Sequence, residues 1–131
     1  MTQRLDKLQA ALEAALGDKI KALHRARGEI TLTVTAAHYL AVATRLRDDP
    51  ALKFEQLIDL CALDYSSWKD QPWDGPRYCV VTHLLSVSLN WRVRLKVFAT
   101  DDDVPVLPTL SDLWASANWF EREAFDMLGV I

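Results

Sequence analysis

The sequence predicts an α+β domain: helix, two strands, helix, three strands, helix, with the helices packed on one face of a sheet. Three observations lead there. Leu5, Leu8, Leu12, Ala15 and Leu16 recur at helical spacing. Two stretches, 20–34 and 78–98, alternate apolar and polar residues with the period of two that marks strands. Half of the 131 residues are hydrophobic and a quarter are charged, enough for one domain with a real core across residues 1–131.

Gly17 follows the first helical repeat as its stop. Ile20, Ala22 and His24 then alternate with Lys19, Lys21 and Arg25, which predicts a half-exposed strand whose alternation sorts its apolar residues to one face. Arg27, Gly28 and Glu29 form a turn, and Ile30, Leu32 and Val34 alternate with Thr31, Thr33 and Thr35. Thr35 is placed to cap a second helix that buries Tyr39, Val42, Ala43 and Leu46. Asp48, Asp49 and Pro50 end it, since proline disfavours helix in the residue before it. Residues 54–63 are apolar on both parities, the pattern of a central strand covered on both faces, with a short helix as the alternative.

Residues 65–76 carry Pro72, Gly75 and Pro76 and read as a loop, which also holds Trp68 and Trp73. A second hairpin follows, with Trp91, Val93, Leu95 and Val97 inward and Arg92, Arg94 and Lys96 outward. Three aspartates, Asp101 to Asp103, and the prolines Pro105 and Pro108 make an extended connection. The closing segment is helical from about Leu110, with a break near Ala115.

Composition excludes several classes of function. A net charge of −3 leaves no electrostatic footprint for nucleic acid. No apolar run approaches the ~20 residues that span a bilayer. The first seven residues lack the apolar core of a signal peptide and carry Asp6 early, so the protein is expected to stay where it is made. Cys61 and Cys79 lie 18 residues apart without a Cys-x-x-Cys pair. Zinc and iron–sulfur sites need about four clustered ligands, so no metal site is expected. His24, His38 and His83 share no spacing, and no Gly-x-Gly-x-x-Gly or phosphate loop exists.

The densest chemistry lies in residues 118–131. Glu121, Arg122, Glu123 and Asp126 crowd together after Trp119 and Phe120, and Gly129 follows. On a helix, Arg122 and Asp126 are i,i+4 neighbours, and Glu123 and Asp126 are i,i+3 neighbours. Three readings compete. The charges can form a solvated ion-pair network; paired carboxylates can act as acid and base; or Trp and Arg can anchor a partner, as they do at binding hot spots. Asn118 can also cap the helix, with Glu121 reaching back to its amide as a folding device. The ridge Arg92, Arg94, Lys96 reads first as a solvated strand face and second as a site for an acidic partner.

Glu121, Arg122, Glu123, Asp126, Met127, Leu128 and Gly129 resemble, in order, the signature of the thirty-kilodalton subunit of respiratory complex I, known in bacteria as the C subunit. Weaker likeness runs through Trp114, Ala117, Asn118, Trp119, the 77–96 hairpin and Asp64-Tyr65. The Phe, Gly-His-Pro-like turn and Arg-Arg pair that continue the signature are absent, so the chain reads as the globular N-terminal part of a longer protein, without the family's C-terminal tail. The resemblance implies a helix–two strands–helix–three strands core with a mixed sheet. It also implies a peripheral component of the hydrophilic arm, docked on the large D subunit beside the quinone-reducing site. The partners would be other complex I subunits, with membrane association through the complex, on the cytoplasmic face of the bacterial inner membrane. This chain would hold no cofactor and no small-molecule ligand; flavin and iron–sulfur clusters would sit in partner subunits. On this implication Trp119, Glu121, Arg122, Glu123, Asp126 and Gly129 form a partner interface, with Trp68, Trp73, Arg92, Arg94 and Lys96 as further contacts. Two alternatives stand beside it: the equivalent component of a complex-I-related membrane-bound hydrogenase, and a small α+β enzyme using the terminal carboxylates.

Overall fold

The computed structural model describes residues 2–64, 78–98, 107 and 109–128. The elements follow the expected order: α1 (Thr2–Leu16), β1 (Ala22–Ala26), β2 (Glu29–Val34), α2 (Ala36–Asp48), β3 (Gln56–Asp64), β4 (Tyr78–Ser86), β5 (Trp91–Phe98) and α3 (Ser116–Leu128). The strands form one five-stranded sheet in the order β1-β2-β5-β4-β3. β2 and β5 are parallel and the other pairs antiparallel, so the sheet is mixed, because α2 and the β3–β4 hairpin intervene between β2 and β5. No described helix is long and apolar enough to cross a membrane.

One face of the sheet carries the core. Ile30, Leu32 and Val34 of β2 pair with Val93, Leu95 and Val97 of β5, and all six are buried. Leu8, Leu12 and Leu16, one turn apart on α1, pack on them together with Tyr39, Val42, Ala43 and Leu46 of α2. α1 ends because Gly17 adopts φ 54°, a left-handed conformation that costs glycine little. The β1–β2 hairpin turns through Arg27 and Gly28, both at positive φ, between the paired Ala26 and Glu29. That is the geometry that two-residue hairpins prefer.

Three expectations are corrected here. The hairpin register pairs Leu23 with Leu32, so Leu23 and Arg25 face the core side of β1, while Ala22 and His24 are exposed. Arg25 tolerates that position because its guanidinium reaches Asp6 at 2.8 Å and Gln9 at 3.1 Å on α1. Residues 54–63 form neither a helix nor a central strand: β3 is an edge strand. Their apolar character on both parities has two causes. Phe54 is buried before the strand begins, and a register shift between Leu57 and Asp59 lets Leu57 and Leu60, three residues apart, both face the core. Helix α3 starts at Ser116, after turn residues 111–113, rather than at Leu110. Thr35 does occupy the N-cap of α2, but its side chain makes no capping hydrogen bond.

The second hairpin sorts as expected: Val93, Leu95 and Val97 are buried, and Arg92, Arg94 and Lys96 point away from the core. Lys96 Nζ stands 5.3 Å over the Phe98 ring. The β4–β5 turn is clamped by Glu55, whose carboxylate accepts hydrogen bonds from the Val87 amide, the Ser88 amide at 3.0 Å and the Ser88 hydroxyl at 2.9 Å. The loop holding Trp68 and Trp73 and the connection through Asp101 to Pro105 lie outside the described residues.

Candidate partner interface

α3 packs against the edge strand β3 and is locked there by polar contacts as well as apolar ones. Trp114, buried before the helix begins, donates its indole N–H to the Phe54 carbonyl at 2.8 Å. The Ser116 hydroxyl donates to the Leu57 carbonyl at 2.9 Å. These bonds fix the entry of the helix onto the strand beside its bulge. Ala117 and Ala124, two turns apart, are buried, and Phe120 is half-buried between them. Small residues on this face let the helix approach the strand closely.

Glu121 lies on that inward face and is buried, 5% exposed. Its carboxylate accepts the Thr109 hydroxyl at 2.6 Å and the Leu110 amide at 2.8 Å. Both distances are those of well-formed hydrogen bonds. The residue ties the segment before α3 to the helix. Glu121 does not reach back to Asn118, which is exposed within the first turn of a helix that begins two residues earlier. The Asn118 cap is therefore corrected: Glu121 is a folding device with a different partner.

The outward face holds Trp119, 71% exposed, and Arg122, one turn further on and also exposed. Glu123 is exposed at the border with β3. The Glu-Arg-Glu sequence thus divides, with Glu121 inside and Arg122 and Glu123 outside. Asp126 belongs to α3, but its side chain lies outside the described residues, as does Gly129. The ridge of Arg92, Arg94 and Lys96 is on the sheet face opposite the core, and α3 does not join it to the Trp119 row.

A hollow of about 300 Å³ borders α3, lined by Asp59, Leu60, Cys61, Ala62, Phe120, Glu123 and Ala124. Among the described signature residues Glu123 lines it, while Glu121 is turned away and bonded elsewhere. The Cys61 thiol is held protonated, raised first by burial and then by its hydrogen bond to Asp59 at 3.4 Å, with Glu123 adding repulsion. Burial pushes the Cys79 thiol up to about 11, with Lys96 opposing. A protonated thiol is a poor nucleophile and metal ligand. Among the described residues no group of three or more His, Cys, Asp or Glu is placed to hold a metal ion. Glu121 and Glu123 face different ways, so these two do not form an acid–base pair, and the Asp126 side chain lies outside the described residues.

The exposed Trp119–Arg122 row carried the sequence signal of an interface; the bond of Glu121 to Thr109 did not. Thr109 lies twelve residues before Glu121, and no local periodicity connects them.

Residues 32–131 match the family described as respiratory-chain NADH dehydrogenase, 30 Kd subunit. The chain is 66% identical over 135 residues to the C subunit of NADH-quinone oxidoreductase from Methylibium petroleiphilum, and 59% identical over 131 residues to that from Burkholderia multivorans. Both alignments cover the whole chain and 66% of the relative, so the chain spans about two thirds of the length of these curated relatives. Among solved structures, the trypsin-resistant fragment of Nqo5 superposes with a TM-score of 0.78 at 27% identity, covering 95% of this chain and 94% of that one. A chain of the membrane-bound sulfane sulfur reductase, an archaeal respiratory membrane complex, shares the fold with a TM-score of 0.75 at 19% identity, covering 96% and 68% respectively. The chain belongs to the family of the respiratory-chain NADH dehydrogenase 30 Kd subunit.

Proposed function

We propose that this chain is the globular part of a cofactor-free peripheral subunit of NADH:quinone oxidoreductase, and that it docks on neighbouring subunits, chiefly the large D subunit. Its task is to hold the electron-transfer arm together, while flavin and iron–sulfur clusters in partner subunits carry electrons from NADH to quinone and the complex translocates protons. It works from the cytoplasmic face of the bacterial inner membrane. The observation that carries this reading is the division of α3. Its inner row is locked onto β3, while an exposed tryptophan and an exposed arginine stand one turn apart on its outer row. A rigid helix presenting Trp beside Arg is a pre-organised docking element, since those two residue types dominate interface hot spots. The names of the curated relatives favour this machine over a related hydrogenase. The likeness to the archaeal complex concerns the fold alone.

Trp119→Ala and Arg122→Ala in the full-length protein test the reading. Each should reduce the assembled complex recovered from membranes, with NADH:quinone activity falling in step. A hot-spot loss of ~2 kcal/mol weakens docking roughly thirtyfold. Normal amounts of assembled complex with abolished activity would overturn it and point to chemistry at this helix.

A further inference from the structure

We infer that the groove between the free edge of β3 and α3 receives an extended, basic segment of another subunit, which adds to the sheet as a further strand beside Leu60 and Ala62. This deepens the reading that the chain docks inside a larger assembly, and rests on it. The hollow bordering α3 is lined by Asp59, Leu60, Cys61 and Ala62 in succession. Successive strand residues point to opposite faces of a sheet, so a hollow touching all four opens along the strand's edge. β3 is nine residues long, and among the described residues β4 is its only strand neighbour. The facing wall is one stripe of α3, Phe120, Glu123 and Ala124, at i, i+3 and i+4.

Two bonds show which main-chain groups face the groove. The Leu57 carbonyl accepts the Ser116 hydroxyl of α3, and the Leu60 amide donates to the Asp59 carboxylate at 2.9 Å. Both groups are engaged away from β4. In an antiparallel ladder a residue's N–H and C=O point the same way, and the direction alternates along the strand. The bulge between Leu57 and Asp59 shifts that alternation by one residue, which puts Leu57, Leu60 and Ala62 all on the free edge. The entry of α3 covers Leu57. Beyond it, the Leu60 carbonyl and both main-chain groups of Ala62 meet no donor or acceptor of another element among the described residues. An uncovered stretch of edge is a template for a pairing strand.

The edge selects an extended occupant. A strand offers free carbonyls and amides along its length, whereas a helix has its main chain bonded internally. In strand addition the main chain pairs with the edge and the side chains fill the flanking surface. That surface is apolar at Leu60, Ala62, Phe120 and Ala124 and acidic at Asp59 and Glu123. Among the described residues no Lys or Arg is bonded to either carboxylate, and Asp59 has His83 at 4.0 Å. A segment carrying a Lys or Arg among small apolar residues complements both parts of the groove. A second copy of this chain, pairing edge to edge, would bring its own Asp59, Glu123 and α3 against the same place, and like charges repel.

The test follows amide hydrogen exchange of the full-length protein, alone and within the complex purified from membranes. Strand addition should slow exchange at Ala62 roughly tenfold or more on assembly, while Cys61, whose amide already faces β4, changes little. Equal exchange of Ala62 in the two states would overturn the proposal. Ala62→Pro removes the edge N–H and leaves the β4 ladder intact. It should lower the yield of assembled complex roughly fivefold to tenfold, with the melting curve of the free protein close to that of the parent. Glu123→Arg, at an exposed position, should lower assembly likewise by repelling the basic segment, and normal assembly of this variant would count against the groove whatever the proline variant does. In the complex, p-benzoylphenylalanine in place of Glu123 should couple to a peptide of another subunit that contains a Lys or Arg. Coupling to a second copy of this chain, or to its own C-terminal continuation, would remove the proposed occupant. Assembly lost in Trp119→Ala and Arg122→Ala, with Ala62 unprotected in the parent complex, would sink the groove and leave the α3 reading standing. Protection of Ala62 with normal assembly of both α3 variants would do the reverse.

Discussion

Replacing Glu121 by alanine removes the acceptor of the buried Leu110 amide, and also that of the hydroxyl of the exposed Thr109. A buried donor left without a partner costs about 1–3 kcal/mol, so Glu121→Ala should lower the denaturant midpoint of the isolated chain well beyond Arg122→Ala, whose exposed site should change stability by no more than ~0.5 kcal/mol. Equal loss in the two variants would contradict the division of α3 into an inner and an outer row. Glu55 supplies a pH-dependent counterpart. Hydrogen bonds from Ser88, and then from Val87, hold its carboxyl below the usual glutamate range. A depressed folded-state pKa means that the stabilisation is present above the unfolded value, about 4.3, and is lost as pH falls through the lower folded value. Melting temperatures of the parent should therefore fall more steeply on acidification below about pH 4.3 than those of Glu55→Gln, which should already be less stable at neutral pH. Parallel profiles would show that the clamp on the β4–β5 turn contributes nothing.

At the level of elements, each hairpin depends on its turn. Gly28 sits at φ 77° with open space where a Cβ would project, so the backbone angle and not crowding requires glycine there. Gly28→Ala should cost about 1–2 kcal/mol by placing an L side chain in the left-handed region, measured as a shift in chemical denaturation. No shift would mean that the turn relaxes freely. The same turn explains which elements could be read from sequence. α1, α2, β2 and β5 each show one clean period, because each buries one face against one neighbour: Leu8, Leu12 and Leu16 on α1, Ile30, Leu32 and Val34 on β2. β1 misled because its inward residues are set by the register of the Arg27–Gly28 turn, which places charged Arg25 inward beside Asp6. β3 misled because a bulge changes parity mid-strand, and sequence alone does not mark a bulge that lacks glycine. At α3, the exposed Trp119 and Arg122 were visible as residue types at helical spacing. Glu121 was visible as part of a signature, but its partners Thr109 and Leu110 come from the preceding segment and only the fold brings them to it.

For the whole molecule, the contrast between Trp114 and Trp119 separates folding from assembly. Five residues apart in sequence, they are 5% and 71% exposed. Trp114 is spent on the fold, its indole N–H bonded to the Phe54 carbonyl, while Trp119 extends a large apolar surface away from the domain. A lone exposed hydrophobic residue is ordinary on a soluble protein. Trp119 stands apart because it shares its row with Arg122 on a helix whose other face is fixed by Ala117, Glu121 and Ala124. If that row is a docking element, its exposure belongs to the isolated chain only. Hydroxyl-radical footprinting of the isolated domain should oxidise Trp119 readily and Trp114 hardly at all. In the full-length protein within the complex, Trp119 should become protected several-fold while Trp114 remains unchanged. Unaltered oxidation of Trp119 in the assembled complex would leave α3 as a structural helix that faces solvent, and the docking role would have to be sought elsewhere on the surface. Protection of Trp119 with full assembly of Trp119→Ala would mean that the helix is covered without contributing binding energy, as happens at the rim of an interface rather than its centre.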